Sequence, residues 1–146
     1  LFKMKNVTLD INLPLTPAPV VADRDRLMQV MLNLLSNSIK FCDAGLGQVK
    51  VTVSQRDETV QVDVRDNGIG IADQFVDKVF VIFQRLHGRD AYAGTGIGLA
   101  LVKKIAEYHG GTIWIDTDYS CGTRFRFTLP VAVAHAPEAL LEGTAP

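Results

Sequence analysis

The chain has 146 residues, of which 47% are apolar, and a formal net charge of -1. This length and apolar content predict one domain with a buried core and exclude a disordered chain. A net charge near zero predicts no electrostatic attraction to nucleic acid or to anionic lipid. No apolar run approaches the roughly 20 residues of a membrane span and no signal peptide is visible, so we expect no membrane insertion of this chain.

The two cysteines, Cys42 and Cys121, lie far apart in the sequence and fit no metal-binding spacing. A disulfide scaffold is therefore not expected, and a reducing cytoplasm is the default location. The chain begins with Leu1 instead of a methionine, so we expect it to be a piece of a longer protein.

The first predicted element is a strand in which apolar residues alternate with polar ones: Val7, Leu9, Ile11 and Leu13. This period of two predicts a strand with one buried face. The strand is expected to end at Pro14, and a short second strand is expected over residues 20–22. Asp23 then offers its side chain as the N-cap of a helix that runs to about Cys42.

This helix carries two stripes of side chains. The apolar stripe predicts a core-facing side: Leu27, Met31, Leu34 and Phe41. The polar stripe lies beside it: Gln29, Asn33, Asn37 and Lys40. One interpretation of the polar stripe is a solvated helix face. The other is a ligand site, because an amide oxygen can coordinate Mg²⁺ and a lysine on the same face can reach a phosphate.

A β-hairpin is predicted next, with apolar alternation on both strands: Val49, Val51, Val53, Val60, Val62 and Val64. Asp66 continues the face of Val60 to Val64, so its carboxylate is expected on the buried side. The residue is either a turn-capping Asp or the acceptor for the exocyclic amino group of adenine in a slot opened by Gly68 and Gly70. Guanine would present a carbonyl oxygen there and be repelled.

A short helix is predicted over residues 71–79, followed by the aromatic anchors Phe80 and Phe83. Residues 85–93 are polar and lack periodicity, which makes them a candidate lid in which Arg85 can turn toward a γ-phosphate. Three alternate glycines then run into a second predicted helix: Gly94, Gly96 and Gly98. Such a loop is either a flexible connection or, with the helix N-terminus, a phosphate site.

The second helix is expected to end at His109-Gly110-Gly111. Strands follow with inward-facing apolar residues: Ile113, Ile115, Phe125, Phe127 and Leu129. Residues 1–130 are therefore predicted to form the domain, and residues 131–146 a flexible C-terminal tail.

Five motifs together resemble, in order and spacing, the N, G1, F, G2 and last glycine boxes of sensor histidine kinases: residues 33–41, 66–70, 80–83, 94–99 and 122–123. These kinases belong to the ATP-binding superfamily shared with DNA gyrase, Hsp90 and MutL. Residues 83–87 are similar to kinases attached to phytochrome-like or PAS sensors. The resemblance implies the Bergerat fold, an α/β (α+β) two-layer sandwich whose mixed sheet is covered on one face by about three helices.

The resemblance also implies residue roles in phosphate binding and catalysis. Asn33 would be the Mg²⁺ ligand, Asn37 and Lys40 would meet phosphate, and Arg85 would act from the lid. Phosphates would be cradled by the glycine-rich loop and the start of its helix: Gly94, Thr95, Gly96, Gly98 and Leu99.

The implied base pocket comes from other segments of the chain. Asp66 would bind the adenine amino group, with Gly68 and Gly70 lining the slot and Phe41 packing near the base. Thr123 would sit near the base through water.

The implied reaction is transfer of the γ-phosphoryl group of Mg-ATP to a histidine on a separate dimerisation domain, with a response regulator receiver domain as the next partner. His87, His109 and His135 are not followed by an acidic residue, so they are expected to be surface or capping residues. The implied location is cytoplasmic, either free or as the cytoplasmic part of a membrane-bound sensor. Two alternatives remain. One is an ATP-hydrolysing conformational clamp of the gyrase or Hsp90 kind, which is disfavoured because those proteins have a Glu general base at the position of Gln29. The other is a degenerate signalling module that binds no nucleotide.

Overall fold

A computed structural model of the chain describes residues 6–16, 19–42, 45–81 and 98–132. Its strands are β1 (Thr8–Asn12), β2 (Gln48–Arg56), β3 (Thr59–Asp66), β4 (Ile113–Ile115) and β5 (Arg124–Pro130). Its α-helices are α1 (Arg24–Phe41) and α2 (Gly98–Tyr108), and two 3-10 turns lie between β3 and α2, at Asp73–Phe75 and Lys78–Phe80.

The strands form one mixed sheet in the order β1-β2-β3-β5-β4. β1 pairs in parallel with β2, and the other neighbours are antiparallel. The predicted hairpin is confirmed as β2 and β3, which are joined through Asp57 in the left-handed region at φ 54°. β3 therefore lies in the centre of the sheet, between β2 and β5.

The two helices pack side by side on one face of the sheet, which confirms the predicted mixed-sheet sandwich. α1 begins as predicted, because the Asp23 carboxylate accepts hydrogen bonds from the N–H groups of Asp25 and Arg26. α2 ends as predicted in a Schellman motif, in which the Gly110 and Gly111 N–H groups donate to the last helical turn.

His109 does more than cap the end of α2. Its Nδ1 donates to the Ile105 carbonyl oxygen at 2.8 Å, and its Nε2 accepts from the Asp23 N–H at 2.9 Å. The end of α2 is thereby tied to the start of α1. The neutral ring with the proton on Nδ1 is the form that satisfies both bonds.

The core lies between the helices and the sheet, and it confirms the inward-facing apolar positions predicted for the last strands. It includes residues from α1, the hairpin and β5: Val30, Leu34, Val49, Val64, Phe125 and Phe127. Phe80 packs edge to face on Phe125, with ring centroids 6.3 Å apart, which confirms its prediction as a core anchor.

The prediction that the first strand has one buried face is wrong, except at Val7. Val7 is buried, but Leu9, Ile11 and Leu13 are 36%, 54% and 68% exposed. β1 is an edge strand, and α1 packs mainly over β2 and β3. Leu9 and Ile11 point to the helical side, as their register partners do, but neither of the two described helices covers them fully.

Two shorter predictions are also corrected. The second strand expected over residues 20–22 is a single antiparallel bridge between Val20 and Val131. The helix expected over residues 71–79 consists of the two 3-10 turns. Val131 also donates its N–H to the Glu58 carbonyl oxygen, and Ala132 donates to the Pro19 carbonyl oxygen. The chain therefore stays attached to the domain two residues beyond the predicted boundary at Pro130.

The other face of the sheet carries a cluster of ion pairs. Asp63 pairs with Arg124 and Arg126, and both arginines also approach the carboxylate of Asp116. Asp63 is buried by these long side chains, although it points away from the helices. The cluster joins β3 and β5 to the loop that follows β4.

Several predictions lie outside the described residues: the anchor Phe83, the lid over residues 85–93, most of the glycine-rich loop and the tail from residue 133. Over the part of the chain that is described, no helix is long and apolar enough to cross a membrane. Both cysteines, Cys42 and Cys121, are free.

Candidate functional site

The centre of the site is Asp66, the last residue of β3 and only 3% exposed. Its Oδ1 accepts hydrogen bonds from the Gly68 N–H at 2.9 Å and the Thr123 N–H at 3.1 Å. Within the described residues, no hydrogen bond to its Oδ2 is found. One carboxylate oxygen is thus fixed by the protein, while the second is available to a ligand.

Burial raises the pKa of the Asp66 carboxyl above its ordinary value of 3.8, and the two backbone N–H groups oppose this rise. The Ser38 hydroxyl also lowers this pKa. Ser38 is 1% exposed, yet its hydroxyl reaches no hydrogen-bond geometry with any described group. The buried hydroxyl and the buried carboxylate thus form one polar spot beneath α1.

The loop after Asp66 is held against the end of α1. The Ile69 N–H donates to the Phe41 carbonyl oxygen at 3.2 Å. A Cβ on Gly68 would lie 2.5 Å from the same carbonyl oxygen, so only glycine allows this approach. The predicted G1 and N motifs, which contain Gly68 and Phe41, are therefore in contact.

Asn67 fixes the same loop from the other side. Its side-chain oxygen accepts from the Gln48 N–H at 2.8 Å, and its side-chain nitrogen donates to the Leu46 carbonyl oxygen at 3.0 Å. These bonds tie the loop to the start of β2. Asn67 thus holds the backbone beside Asp66 in place.

The loop before β5 closes the third side of the slot. A Cβ on Gly122 would collide with the Asp66 carbonyl oxygen, and a Cβ on Gly70 would lie 3.2 Å from the Gly122 carbonyl oxygen. Thr123 is buried, and its N–H binds the Asp66 carboxylate. The predicted residues Asp66, Gly68, Gly70 and Thr123 are therefore brought together.

Asn33 lies at the start of α2. A Cβ on Gly98, the first residue of that helix, would lie 3.2 Å from Asn33 Oδ1. The N-terminus of an α-helix carries N–H groups without partners and a partial positive charge, which favour anions. The structure thus places the side-chain amide of Asn33 beside a helix end suited to phosphate.

Three further predicted residues lie on α1 and α2, and their roles stay predictions. Asn37 and Lys40 are half-buried and lie on the same face of α1 as Asn33, one and two turns later. The side chain of Leu99 packs against the core, so only its backbone faces the helix N-terminus. Four predicted residues lie outside the described part of the chain: Arg85, Gly94, Thr95 and Gly96.

Sequence reasoning missed Ser38 and Tyr119. Ser38 had a detectable signal, because a serine in an otherwise apolar helix stripe is unusual without a partner. Tyr119 donates its hydroxyl to the Asp66 carbonyl oxygen at 2.8 Å across 53 positions of sequence. Nothing in its local sequence indicates this contact, which depends on how the β4–β5 loop folds back.

Comparison with known proteins places this geometry in a family. The family model described as "Histidine kinase-, DNA gyrase B-, and HSP90-like ATPase" matches residues 22–133. A curated relative, cyanobacterial phytochrome A of Nostoc sp. (strain PCC 7120), is 47% identical over 121 residues, which are 82% of this chain and 16% of the relative. The chain therefore spans a small part of that relative.

Two solved structures have the same fold. The structure of full-length ShkA in complex with AMPPNP has a TM-score of 0.77 and 29% identity, over 92% of this chain and 28% of that chain. The histidine kinase ThkA in complex with the response regulator protein TrrA has a TM-score of 0.74 and 27% identity, over 90% and 36%. The chain therefore belongs to the histidine kinase-, DNA gyrase B- and HSP90-like ATPase family, and it is an ATP-binding catalytic domain of the histidine kinase type.

Proposed function

We propose that this domain binds Mg-ATP with its adenine against Asp66 and transfers the γ-phosphoryl group to a histidine on a separate dimerisation domain. The single observation that carries the proposal is the geometry of Asp66. Its Oδ1 is occupied by two backbone N–H groups, and its Oδ2 is left for a donor. The exocyclic amino group of adenine is such a donor, whereas guanine presents an acceptor at the same position.

Asn33 is proposed as the protein ligand of Mg²⁺. Its half-buried side-chain amide lies beside the first residue of α2, and an amide oxygen is a hard ligand of the kind that Mg²⁺ accepts. Mg²⁺ typically keeps several waters and is shared with substrate phosphates, so one protein ligand fits the ion. When bound, Mg²⁺ would neutralise negative charge on the phosphates.

The phosphate chain is proposed to lie at the N-terminus of α2. Lys40 and Asn37 share the helix face of Asn33 and are proposed to contact phosphate there. Arg85 and the loop residues Gly94, Thr95 and Gly96 are proposed to complete this cradle. These residues need to supply little covalent chemistry, because phosphoryl transfer depends mainly on positioning of the reactants and neutralisation of phosphate charge.

The proposed partners are the histidine-bearing domain and a response regulator. The complex of ThkA with TrrA supports a response regulator, since that kinase shares this fold at 27% identity. We propose that the domain acts in the cytoplasm, where ATP is supplied. The flexible tail predicted over residues 131–146 is proposed to begin only after Ala132, because Val131 and Ala132 are hydrogen-bonded to the domain.

An ATP-hydrolysing clamp is the main alternative within the family. A clamp needs a general base near the attacking water. The side chain of Gln29, one turn before Asn33, accepts a hydrogen bond from Arg26 at 3.2 Å. An amide cannot take a proton from water, so this position favours transfer to a histidine over hydrolysis.

The test is a calorimetric titration of ATP and GTP, each with Mg²⁺, into the wild type and Asp66→Asn. The variant presents an amide donor to the adenine amino group, so ATP affinity is expected to fall about tenfold or more, the value of a charge-assisted hydrogen bond. Asp10→Asn is the matched control, because Asp10 lies on the exposed strand β1.

Phosphotransfer is tested separately with a supplied acceptor-histidine domain. With the wild type, labelled phosphate is expected on the acceptor domain. With Asn33→Ala in its place, no label is expected on the acceptor domain. When the acceptor is omitted, the wild type is expected to release little phosphate. Rapid release without the acceptor would support the clamp. Absence of ATP binding by the wild type would support a degenerate module.

A further inference from the structure

The backbone pairing is irregular one position beyond the last β3–β5 pair, which is Arg65 with Arg124. Asp66 and Thr123 are the next residues along the two segments, and the Asp66 N–H donates to the Thr123 carbonyl oxygen at 2.9 Å. In a regular antiparallel pair, the Thr123 N–H would return a bond to the Asp66 carbonyl oxygen. Here it donates to Oδ1 of the Asp66 side chain at 3.1 Å. The backbone carbonyl of Asp66 therefore needs another donor.

Tyr119 supplies that donor. Its hydroxyl binds the Asp66 carbonyl oxygen at 2.8 Å, and its side chain is half-buried. Burial raises the pKa of the Tyr119 phenol above its ordinary value of 10.0, so the phenol stays protonated and donates throughout the neutral range.

The loop that carries Tyr119 is held in place by Asp116. The Asp116 carboxylate accepts from the Asp118 N–H at 3.0 Å, and the Tyr119 N–H is 3.3 Å from the Asp116 carbonyl oxygen. Arg124 and Arg126 pair with the same carboxylate on the open face of the sheet. The phenol is thus presented to Asp66 by a loop with several anchors.

We propose that Tyr119 is a positioning residue for base recognition: by occupying the Asp66 carbonyl oxygen, it keeps the Thr123 N–H on the Asp66 carboxylate. Without the phenol, the Thr123 N–H can return to the backbone carbonyl and complete the ladder. Oδ1 would then keep only the Gly68 N–H, and the carboxylate would be free to rotate. This role rests on the proposed function, in which the orientation of Asp66 selects adenine.

The first test concerns the protein without nucleotide. In Tyr119→Phe, scalar coupling across hydrogen bonds, measured by NMR, is expected to connect the Thr123 amide nitrogen to the Asp66 backbone carbonyl carbon. In the wild type this coupling is expected to be absent. Identical patterns in both proteins would overturn the proposal whether or not the domain binds ATP.

The second test measures affinity for ATP, GTP and inorganic tripolyphosphate, each with Mg²⁺. Tyr119→Phe is expected to weaken ATP about threefold to tenfold, the effect of one hydrogen bond, and to leave tripolyphosphate unchanged. The ratio of ATP affinity to GTP affinity should also fall in Tyr119→Phe. Tyr108→Phe is the matched control, because Tyr108 is 85% exposed at the end of α2.

The outcomes separate the two proposals. Equal losses for ATP and tripolyphosphate, or a lower melting temperature with unchanged ATP affinity, would assign Tyr119 a structural role only and overturn the inference. A wild type that binds no ATP would overturn the proposed function, and the coupling measurement would still decide whether Tyr119 holds Asp66.

Discussion

Strands β1 and β3 carry the same alternation of apolar and polar residues, but their environments are opposite. On β1, Ile11 is 54% exposed although its side chain points to the helical side of the sheet. On β3, Val64 is fully buried and Asp66, a charged residue, is buried beside it. Alternation therefore determines which side chains lie on the same face of the sheet, whereas the position of the strand in the sheet determines whether other residues cover that face.

The cause is the number of neighbours on each strand. Among the described strands, β1 pairs with β2 alone, whereas β3 lies between β2 and β5 under α1. Burial of the Asp66 carboxylate is costly, and it is offset by hydrogen bonds from Gly68 and Thr123, which only a central strand end can collect.

The largest expected effect comes from the contact between the β5 loop and the end of β3. In Gly122→Ala, the new methyl group would collide with the Asp66 carbonyl oxygen. We expect the free energy of unfolding, measured in urea, to fall by about 3 kcal/mol. Gly45→Ala is the control, since its methyl group meets open space and the φ of 85° costs only about 1 kcal/mol. Equal losses would mean that the approach of Gly122 to Asp66 is not rigid.

The next prediction compares the loss of stability caused by truncating a side chain on β3 and on β1. Val64→Ala removes buried methyl groups from β3 and is expected to lower the free energy of unfolding by about 2 kcal/mol. Ile11→Ala removes half-exposed atoms from β1 and is expected to cost about 0.5 kcal/mol. Both values come from urea unfolding. A loss for Ile11→Ala as large as that for Val64→Ala would show that another surface covers β1 in solution.

The smallest effect is the pH dependence of stability due to Asp66. Because burial raises its folded-state pKa above 3.8, the folded protein binds more protons than the unfolded chain between these two values. This contribution therefore favours folding in acid and is lost as the pH rises through the folded-state pKa. Asp66→Asn lacks this titration and is expected to be at least as stable as the wild type at pH 7.

The measurement is urea unfolding of the wild type, Asp66→Asn and Asp10→Asn between pH 4 and pH 8. The advantage of Asp66→Asn over the wild type should shrink as the pH falls toward 4. A variant that is less stable than the wild type at pH 7 would show that the hydrogen bonds to the carboxylate outweigh the cost of its burial.

Much of the site could be predicted from the sequence because its signals are local. The parity of β3 predicted the buried Asp66, and the capping pattern predicted the start of α1 at Asp23. The stripe containing Asn33 was predicted from helical spacing, and the structure brings it to the start of α2. The roles of Asn33 in Mg²⁺ binding and of Lys40 in phosphate binding stay predictions.

Other features could not be predicted because they depend on partners distant in sequence. The short helix expected over residues 71–79 is replaced by two 3-10 turns, although the expected contact of Phe80 with the core is confirmed. The burial of Asp63 on the open face depends on arginines from β5. Exposure of Leu9 depends on the order of strands in the sheet.

The sequence by itself determined the two α-helices and the five strands, the glycines needed for close approaches and the carboxylate that faces the slot. These features follow from periodicity and residue chemistry, which act over a few neighbouring positions. Only the tertiary structure decided that β1 stays exposed and that the Thr123 N–H binds a side chain in place of a backbone carbonyl. Only it decided that Tyr119 satisfies that carbonyl, because such contacts require segments far apart in the chain to meet at hydrogen-bond distance.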